Sequence, residues 1–102
     1  MNRREFILNE LSENPTDPLN YYLLAVEERS IGDFDASIEQ LVYLLNQHPN
    51  YHPSYYMLAE IYYHLDRIEE GTQIALQGIQ KAKNLQLLKV SSELEQLINL
   101  ND

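Results

Sequence analysis

The side chains that could take part in chemistry are few, and their spacing gives little support to catalysis or metal binding. The chain has no cysteine, which excludes disulfides and thiolate metal sites. Two of its histidines, His48 and His52, lie four residues apart. On a helix that spacing would place both imidazoles on one face as zinc ligands. Pro49 and Pro53 predict a loop for the same stretch, so the spacing loses this meaning.

The other reactive groups are scattered as well. His64, Glu60 and Asp66 could form only a weak metal site, and we interpret them as surface residues near a turn. Nucleophilic catalysis needs a hydroxyl beside a base and an oxyanion donor. No histidine lies in helical register with the candidate serines, which are Ser37, Ser54, Ser91 and Ser92. The three glycines do not cluster into a phosphate-binding loop. We therefore expect no catalytic residue, no metal ion and no cofactor, and the chain is predicted not to be an enzyme.

Tyrosine is the residue type that stands out instead. Eight of the 102 residues are tyrosine and none is tryptophan. A tyrosine side chain offers a large rigid contact area and a hydroxyl that stays polar, which suits a binding surface. The composition therefore favours a binding function over catalysis.

Charge and hydropathy narrow the class of partner. The net charge is −9, from sixteen acidic and seven basic residues, which makes broad binding to nucleic acid or to anionic membranes unfavourable. Hydrophobic residues make up 44 % of the chain, enough for a folded core. The N-terminal apolar run from Phe6 to Leu8 is too short for a signal peptide, and no later run approaches a membrane span. We expect a soluble cytoplasmic protein.

Helical periodicity and capping residues predict an all-α chain of five to six helices. Their expected limits are about residues 2–13, 18–31, 33–47, 53–65, 66–83 and 84–100. Asp17 and Pro18 suit the start of the second helix, and Gly32 suits a left-handed turn at its end. Asp66 and Glu69 have the spacing of a capping box for the fifth helix. Connections of two to five residues favour antiparallel neighbours.

The sequence repeats itself with a 34-residue period. Tyr21, Leu24 and Ala25 recur as Tyr55, Leu58 and Ala59, and Pro15 recurs as Pro49. The segment that begins at Gly32 reappears in altered form at Asp66. A fixed period of this length is typical of helix–turn–helix units that stack to bury a face which none buries alone. The predicted architecture is an α-solenoid of helix hairpins.

These residues resemble the tetratricopeptide repeat. The first full repeat, residues 18–51, fills the family's places with Tyr21, Leu24, Ala25, Gly32, Phe34, Leu41 and Pro49. The second, residues 52–85, does so with Tyr55, Leu58, Ala59, Tyr62, Ile68, Gly71, Ala75 and Gly78. Residues 1–17 resemble a truncated preceding repeat, and residues 84–100 resemble a capping helix. The whole chain is thus expected to form one domain. Four residues depart from the family pattern: Glu28, Ser37, Leu44 and Asp66.

Small residues follow one another down the fifth helix. Gly71, Ala75, Gly78 and Ala82 lie three or four residues apart, which puts them on one face. Each glycine lowers helix propensity by roughly 1 kcal/mol relative to alanine. We expect close packing against another backbone to compensate for that loss.

The resemblance implies a concave groove, lined by the first helix of each repeat, that holds a peptide or helix of a protein partner. The corresponding side chains are Tyr22, Val26, Arg29, Tyr56, Glu60, Tyr63 and His64. An apolar or aromatic segment with a basic residue near Glu60 or Glu27 is the expected ligand. Glu60 would repel a terminal carboxylate, so chaperone-tail binding is not expected. The alternative function is self-association as a homodimer, groove to groove or end to end through the truncated first helix, since about two and a half repeats are near the lower limit for a stable solenoid.

Overall fold

The computed structural model describes residues 2–102, and this part of the chain folds into helices without any strand. The six helices are α1 (Arg3–Glu13), α2 (Pro18–Ser30), α3 (Phe34–Gln47), α4 (Pro53–His64), α5 (Ile68–Asn84) and α6 (Leu88–Leu100). They divide between two compact units, residues 1–48 and residues 49–102. The predicted all-α class is confirmed.

In the first unit, α2 packs against both α1 and α3. Each of the three helices begins at a residue whose side chain accepts a hydrogen bond from a free backbone N–H. The acceptors are Asn2, Asp17 and Asp33. Such caps satisfy donors that the first helical turn leaves unpaired. The buried apolar residues of this unit are Ile7, Leu24, Ala25, Leu41 and Leu44.

In the second unit, α5 packs against both α4 and α6. A buried cluster joins the three helices and consists of Ala59, Tyr63, Ala75, Ile79, Leu94 and Leu97. Both glycines of α5 lie at close approaches. A Cβ added at Gly78 would stand 2.7 Å from Tyr55 Cβ, and one added at Gly71 would stand 3.1 Å from the Ala59 carbonyl oxygen. The expectation that the small residues of α5 permit close packing is confirmed.

The sequence period is visible in the hydrogen bonds of the two units. Tyr21 donates its hydroxyl to the Pro15 carbonyl at 2.8 Å, and Tyr55 donates to the Pro49 carbonyl at the same distance. The turn after α2 places Gly32 at φ +83°, and the turn after α4 places Asp66 at φ +60°. Both turns close with a backbone bond from the following residue to a carbonyl five residues earlier.

Two predicted helix starts need correction. Asp66 does not cap α5, because it occupies the left-handed position that ends α4. The helix begins at Ile68 after Arg67, whose side chain makes no capping bond, so the capping box with Glu69 does not form. The sixth helix begins at Leu88 rather than at residue 84. Helix α5 continues to Asn84, and Gln86 then turns the chain at φ +59°.

Candidate partner-binding surface

The candidate residues of the first unit lie on one face of α2. Tyr22, Val26 and Arg29 follow one another at intervals of four and three residues, which aligns them along the helix. All three are half-buried. The Asp17 cap and Pro18 at the first helical position fix where α2 begins, and therefore which residues this face presents. The face offers an aromatic ring, an aliphatic side chain and a guanidinium group.

The matching face of α4 carries Tyr56 and Glu60, each one repeat period after its counterpart Tyr22 or Val26. Both are half-buried, and His64 at the end of the helix is exposed. Tyr56 packs against the buried cluster of the second unit, as Val90 of α6 also does. This packing holds one side of the Tyr56 ring in place, as is typical of rigid contact residues.

Tyr63 does not lie on an accessible surface, and its assignment to the groove is corrected. Its side chain is 6 % exposed and belongs to the cluster that contains Leu94 and Leu97 of α6. Its hydroxyl is hydrogen-bonded to Thr72 Oγ1 at 2.7 Å. The ring also lies over Gly71, where an added Cβ would come within 3.0 Å of it. Tyr63 is therefore a packing residue of the second unit.

An acidic pair on α2, next to the candidate face, contacts α1. Glu27 forms an ion pair with Arg3 at 3.3 Å, and Glu28 forms one with Arg4 at 3.7 Å. The Glu28 side chain is 4 % exposed. Burial raises the pKa of Glu28 above its usual value, and the charges of Asp33 and Glu39 add to this. The charge of Arg4 and a hydrogen bond from Gln40 offset the rise only in part.

Sequence reasoning did not find the ion pairs of the acidic pair. Glu28 departs from the family pattern, which has an aromatic residue at this repeat position. Tyr62 fills the same position in the second unit. The two consecutive arginines near the N-terminus were the available signal for a partner of opposite charge. The same reasoning associated Glu27 with a ligand, whereas in the structure Arg3 already contacts it.

The turn between α4 and α5 carries a second charged group. Residues 66–70 line a shallow surface depression. Arg67 donates two hydrogen bonds to the Glu70 carboxylate, at 2.8 Å and 2.7 Å, and its guanidinium lies 4.6 Å from the centre of the Tyr62 ring. The hydrogen bond from Arg67 lowers the pKa of Glu70. These partners satisfy one another, and none of the candidate residues lines the depression.

Within residues 2–102, no group of three or more His, Asp or Glu side chains is arranged to hold a metal ion. No helix in this part of the chain is long and apolar enough to cross a membrane.

Comparison with known proteins gives structural neighbours only. No protein-family model matches the chain, and no curated protein matches it significantly. The solution NMR structure of a tetratricopeptide repeat domain protein from Salinibacter ruber is similar, with a TM-score of 0.82 and 28 % identity over 86 % of this chain and 89 % of that one. A crystal structure of a tetratricopeptide repeat domain protein from the same organism has a TM-score of 0.77 and 28 % identity, over 83 % and 94 % of the two chains.

Proposed function

We propose that this chain, which has the tetratricopeptide-repeat fold, is a non-enzymatic adaptor that binds a segment of a protein partner. The fold generally mediates protein–protein interaction. In the first unit we assign the contact to the α2 face of Tyr22, Val26 and Arg29, and in the second unit to the α4 face of Tyr56, Glu60 and His64. Tyr63 is left out because its side chain is buried.

One observation carries this proposal. Tyr22 and Tyr56 occupy the same place in successive repeats, and both remain half-buried rather than entering the core. In contrast, Tyr55 and Tyr62 are buried. A half-buried tyrosine keeps contact area for a partner and loses little conformational freedom when the partner binds. A repeated pair of such residues therefore suits recognition of an extended or helical segment.

The side chains also indicate the chemistry of the ligand. Rings at Tyr22 and Tyr56 with the aliphatic Val26 suit apolar or aromatic residues. Glu60 suits a lysine or an arginine of the ligand and opposes a terminal carboxylate. We therefore propose an apolar segment that contains a basic residue. Because both faces belong to preformed helices, binding needs little reordering of this chain.

A selection experiment tests the proposal. Peptides are selected from a random display library on the immobilised chain, and their dissociation constants are measured for the wild type and for Tyr22→Ala/Tyr56→Ala. We expect the double variant to weaken binding by at least about tenfold, since aromatic residues dominate binding energies at such surfaces.

Leu76→Ala is the control, because Leu76 is an exposed apolar residue of α5 outside the two faces. Its variant should bind the selected peptides as the wild type does. Helical circular dichroism of all variants should remain unchanged. Equal binding by the wild type and by Tyr22→Ala/Tyr56→Ala would contradict the assignment.

Self-association as a homodimer, groove to groove or end to end through the N-terminal helix, is the second function expected from the sequence. Light scattering at several concentrations distinguishes the two functions, and we expect a constant monomeric mass.

A further inference from the structure

Helix α1 is held on the first unit by two ion pairs and by little apolar burial. Arg3 and Arg4 pair with Glu27 and Glu28 of α2 at 3.3 Å and 3.7 Å. Ile7 is the buried residue of α1, while Phe6 and Leu8 are 54 % and 41 % exposed. Since apolar burial supplies most of the stability of helix docking, a helix that buries one side chain is weakly held.

Glu28 is only partly satisfied by this helix. Its side chain is 4 % exposed, and its Oε1 atom accepts no hydrogen bond from the described residues. A buried charge whose acceptor is left unpaired costs free energy. The 3.7 Å separation from Arg4 is longer than that of a direct charge-assisted hydrogen bond. A guanidinium group placed closer to Glu28 would satisfy this oxygen better than Arg4 does.

We propose that α1 is an exchangeable cover of the acidic pair Glu27 and Glu28, and that a basic amphipathic helix of a partner protein can take its place. The incoming helix would carry two adjacent arginines and apolar residues three and seven positions after the second arginine. This is the spacing of Ile7 and Leu11 from Arg4 in α1 itself. The proposal concerns a different surface from the faces assigned above and does not depend on them.

The charge balance of the first unit fits such a partner. Residues 1–48 contain nine acidic side chains and three basic ones, and two of the basic ones are Arg3 and Arg4. Helix α1 itself carries three acidic residues beside its two arginines. Residues 15–48, without it, still contain six acidic side chains and one basic one, a balance that attracts a basic helix and speeds its association. As long as α1 is docked, its high effective concentration competes with the partner.

A labelled peptide of residues 2–14 is the probe for exchange. Its fluorescence anisotropy is measured with the full wild-type chain and with the full chain carrying Arg3→Ala/Arg4→Ala. The variant's own α1 is weakened, so we expect the peptide to bind it at least about tenfold more tightly than the wild type. The same peptide with both arginines replaced by alanine should not bind.

Lys81→Ala/Lys89→Ala is the matched control chain, because it removes two positive charges from the second unit instead. It should bind the peptide as weakly as the wild type does. The proposal is overturned if Arg3→Ala/Arg4→Ala binds no more tightly than the wild type, or if the alanine peptide binds equally well.

Hydrogen exchange of the unmodified chain gives an independent readout. We expect amides of α1 to exchange at least about tenfold faster than those of α3, because release of α1 need not unfold the rest of the unit. Equal protection of the two helices would also overturn the proposal.

Discussion

The two units differ at the place where the second helix of each hairpin meets the first. In the first unit this place holds Ser37, which is fully buried and donates its hydroxyl to the Ala25 carbonyl at 2.8 Å. In the second unit it holds Gly71, where an added Cβ would stand 3.1 Å from the Ala59 carbonyl oxygen and 3.0 Å from the Tyr63 ring. The two carbonyls belong to alanines at equivalent places in successive repeats.

This difference shows how one repeat frame accepts two kinds of core. The second unit packs around aromatic rings, with Tyr62 and Tyr63 buried next to each other in sequence and the Tyr63 ring lying over Gly71. The first unit has Glu28 and Arg29 at those two positions and uses a hydrogen bond from a buried serine. The first unit is therefore more polar inside, while the second depends on close packing.

The largest difference in stability is expected between substitutions at residues 63 and 29, which occupy equivalent positions in the two units. Tyr63→Ala removes a buried ring and should lower the free energy of unfolding by about 3–5 kcal/mol, as aromatic deletions in cores do. Arg29→Ala, at the half-buried counterpart, should cost about 1 kcal/mol or less. Urea unfolding followed by circular dichroism measures both. Equal losses would mean that the two units do not differ in the way described.

Gly78→Ala tests the close packing of the second unit. Its Cβ would stand 2.7 Å from Tyr55 Cβ and 2.8 Å from Leu94 Cδ1. Overpacking of this kind costs about 1–3 kcal/mol, which should exceed the gain of roughly 1 kcal/mol in helix propensity. Thermal unfolding should therefore show a net loss. Gln77→Ala, on the exposed side of the same helix, is the control and should not destabilise. A stabilised Gly78→Ala would refute the tight approach.

Ser37→Ala tests the polar contact of the first unit. Loss of the buried hydrogen bond to Ala25 should lower the free energy of unfolding by about 1 kcal/mol. The exposed Ser92 provides the matched control, since Ser92→Ala should leave the urea midpoint unchanged. If both variants unfold at the same midpoint, the serine contributes nothing that alanine lacks.

The smallest change in the free energy of unfolding is expected from Glu28→Gln. The test is how this change depends on pH. The pKa of Glu28 in the folded chain lies above its usual value of 4.5, so the folded state binds this proton more tightly than the unfolded state. The protonated Glu28 carboxyl therefore contributes fully to stability below about pH 4.5. This contribution is lost as the pH rises through the pKa of Glu28 in the folded chain. Glutamine never ionises, so the variant should exceed the wild type in stability at pH 7 and match it at low pH. A variant that is less stable at pH 7 would show that the Arg4 pair outweighs burial.

Much of the fold follows from local sequence signals. Proline and aspartate at the helix starts predicted the limits of α2 and α3 closely. The sequence period paired Tyr21 with Tyr55 and Pro15 with Pro49, and the structure shows the two tyrosines making equivalent hydrogen bonds. The turn at Gln86 was not predicted, because glutamine has no preference for a positive φ. Asp66 was predicted to cap α5 for a similar reason. Aspartate suits both the N-cap of a helix and a left-handed turn at a helix end, and only the backbone conformation distinguishes the two.

The candidate surface was harder to predict from the sequence. Periodicity placed Tyr63 on the same face as Tyr56, but Tyr63 is buried in the core of the second unit whereas Tyr56 is half-buried. Which residues α6 covers depends on how that helix packs, and Tyr63 lies in one buried cluster with Leu94 and Leu97 of α6. Contacts between distant helices of this kind carry no local signal. The Arg4–Glu28 pair was missed for the same reason.

The most direct test of the proposed binding function is a nuclear magnetic resonance titration. The isotope-labelled chain is titrated with a peptide from the display selection, and amide shifts are followed residue by residue. The account predicts that the largest shifts fall on residues 22–29 of α2 and residues 56–64 of α4. Shifts confined to the exposed sides of α3 and α5, around Tyr43 and Leu76, would contradict it.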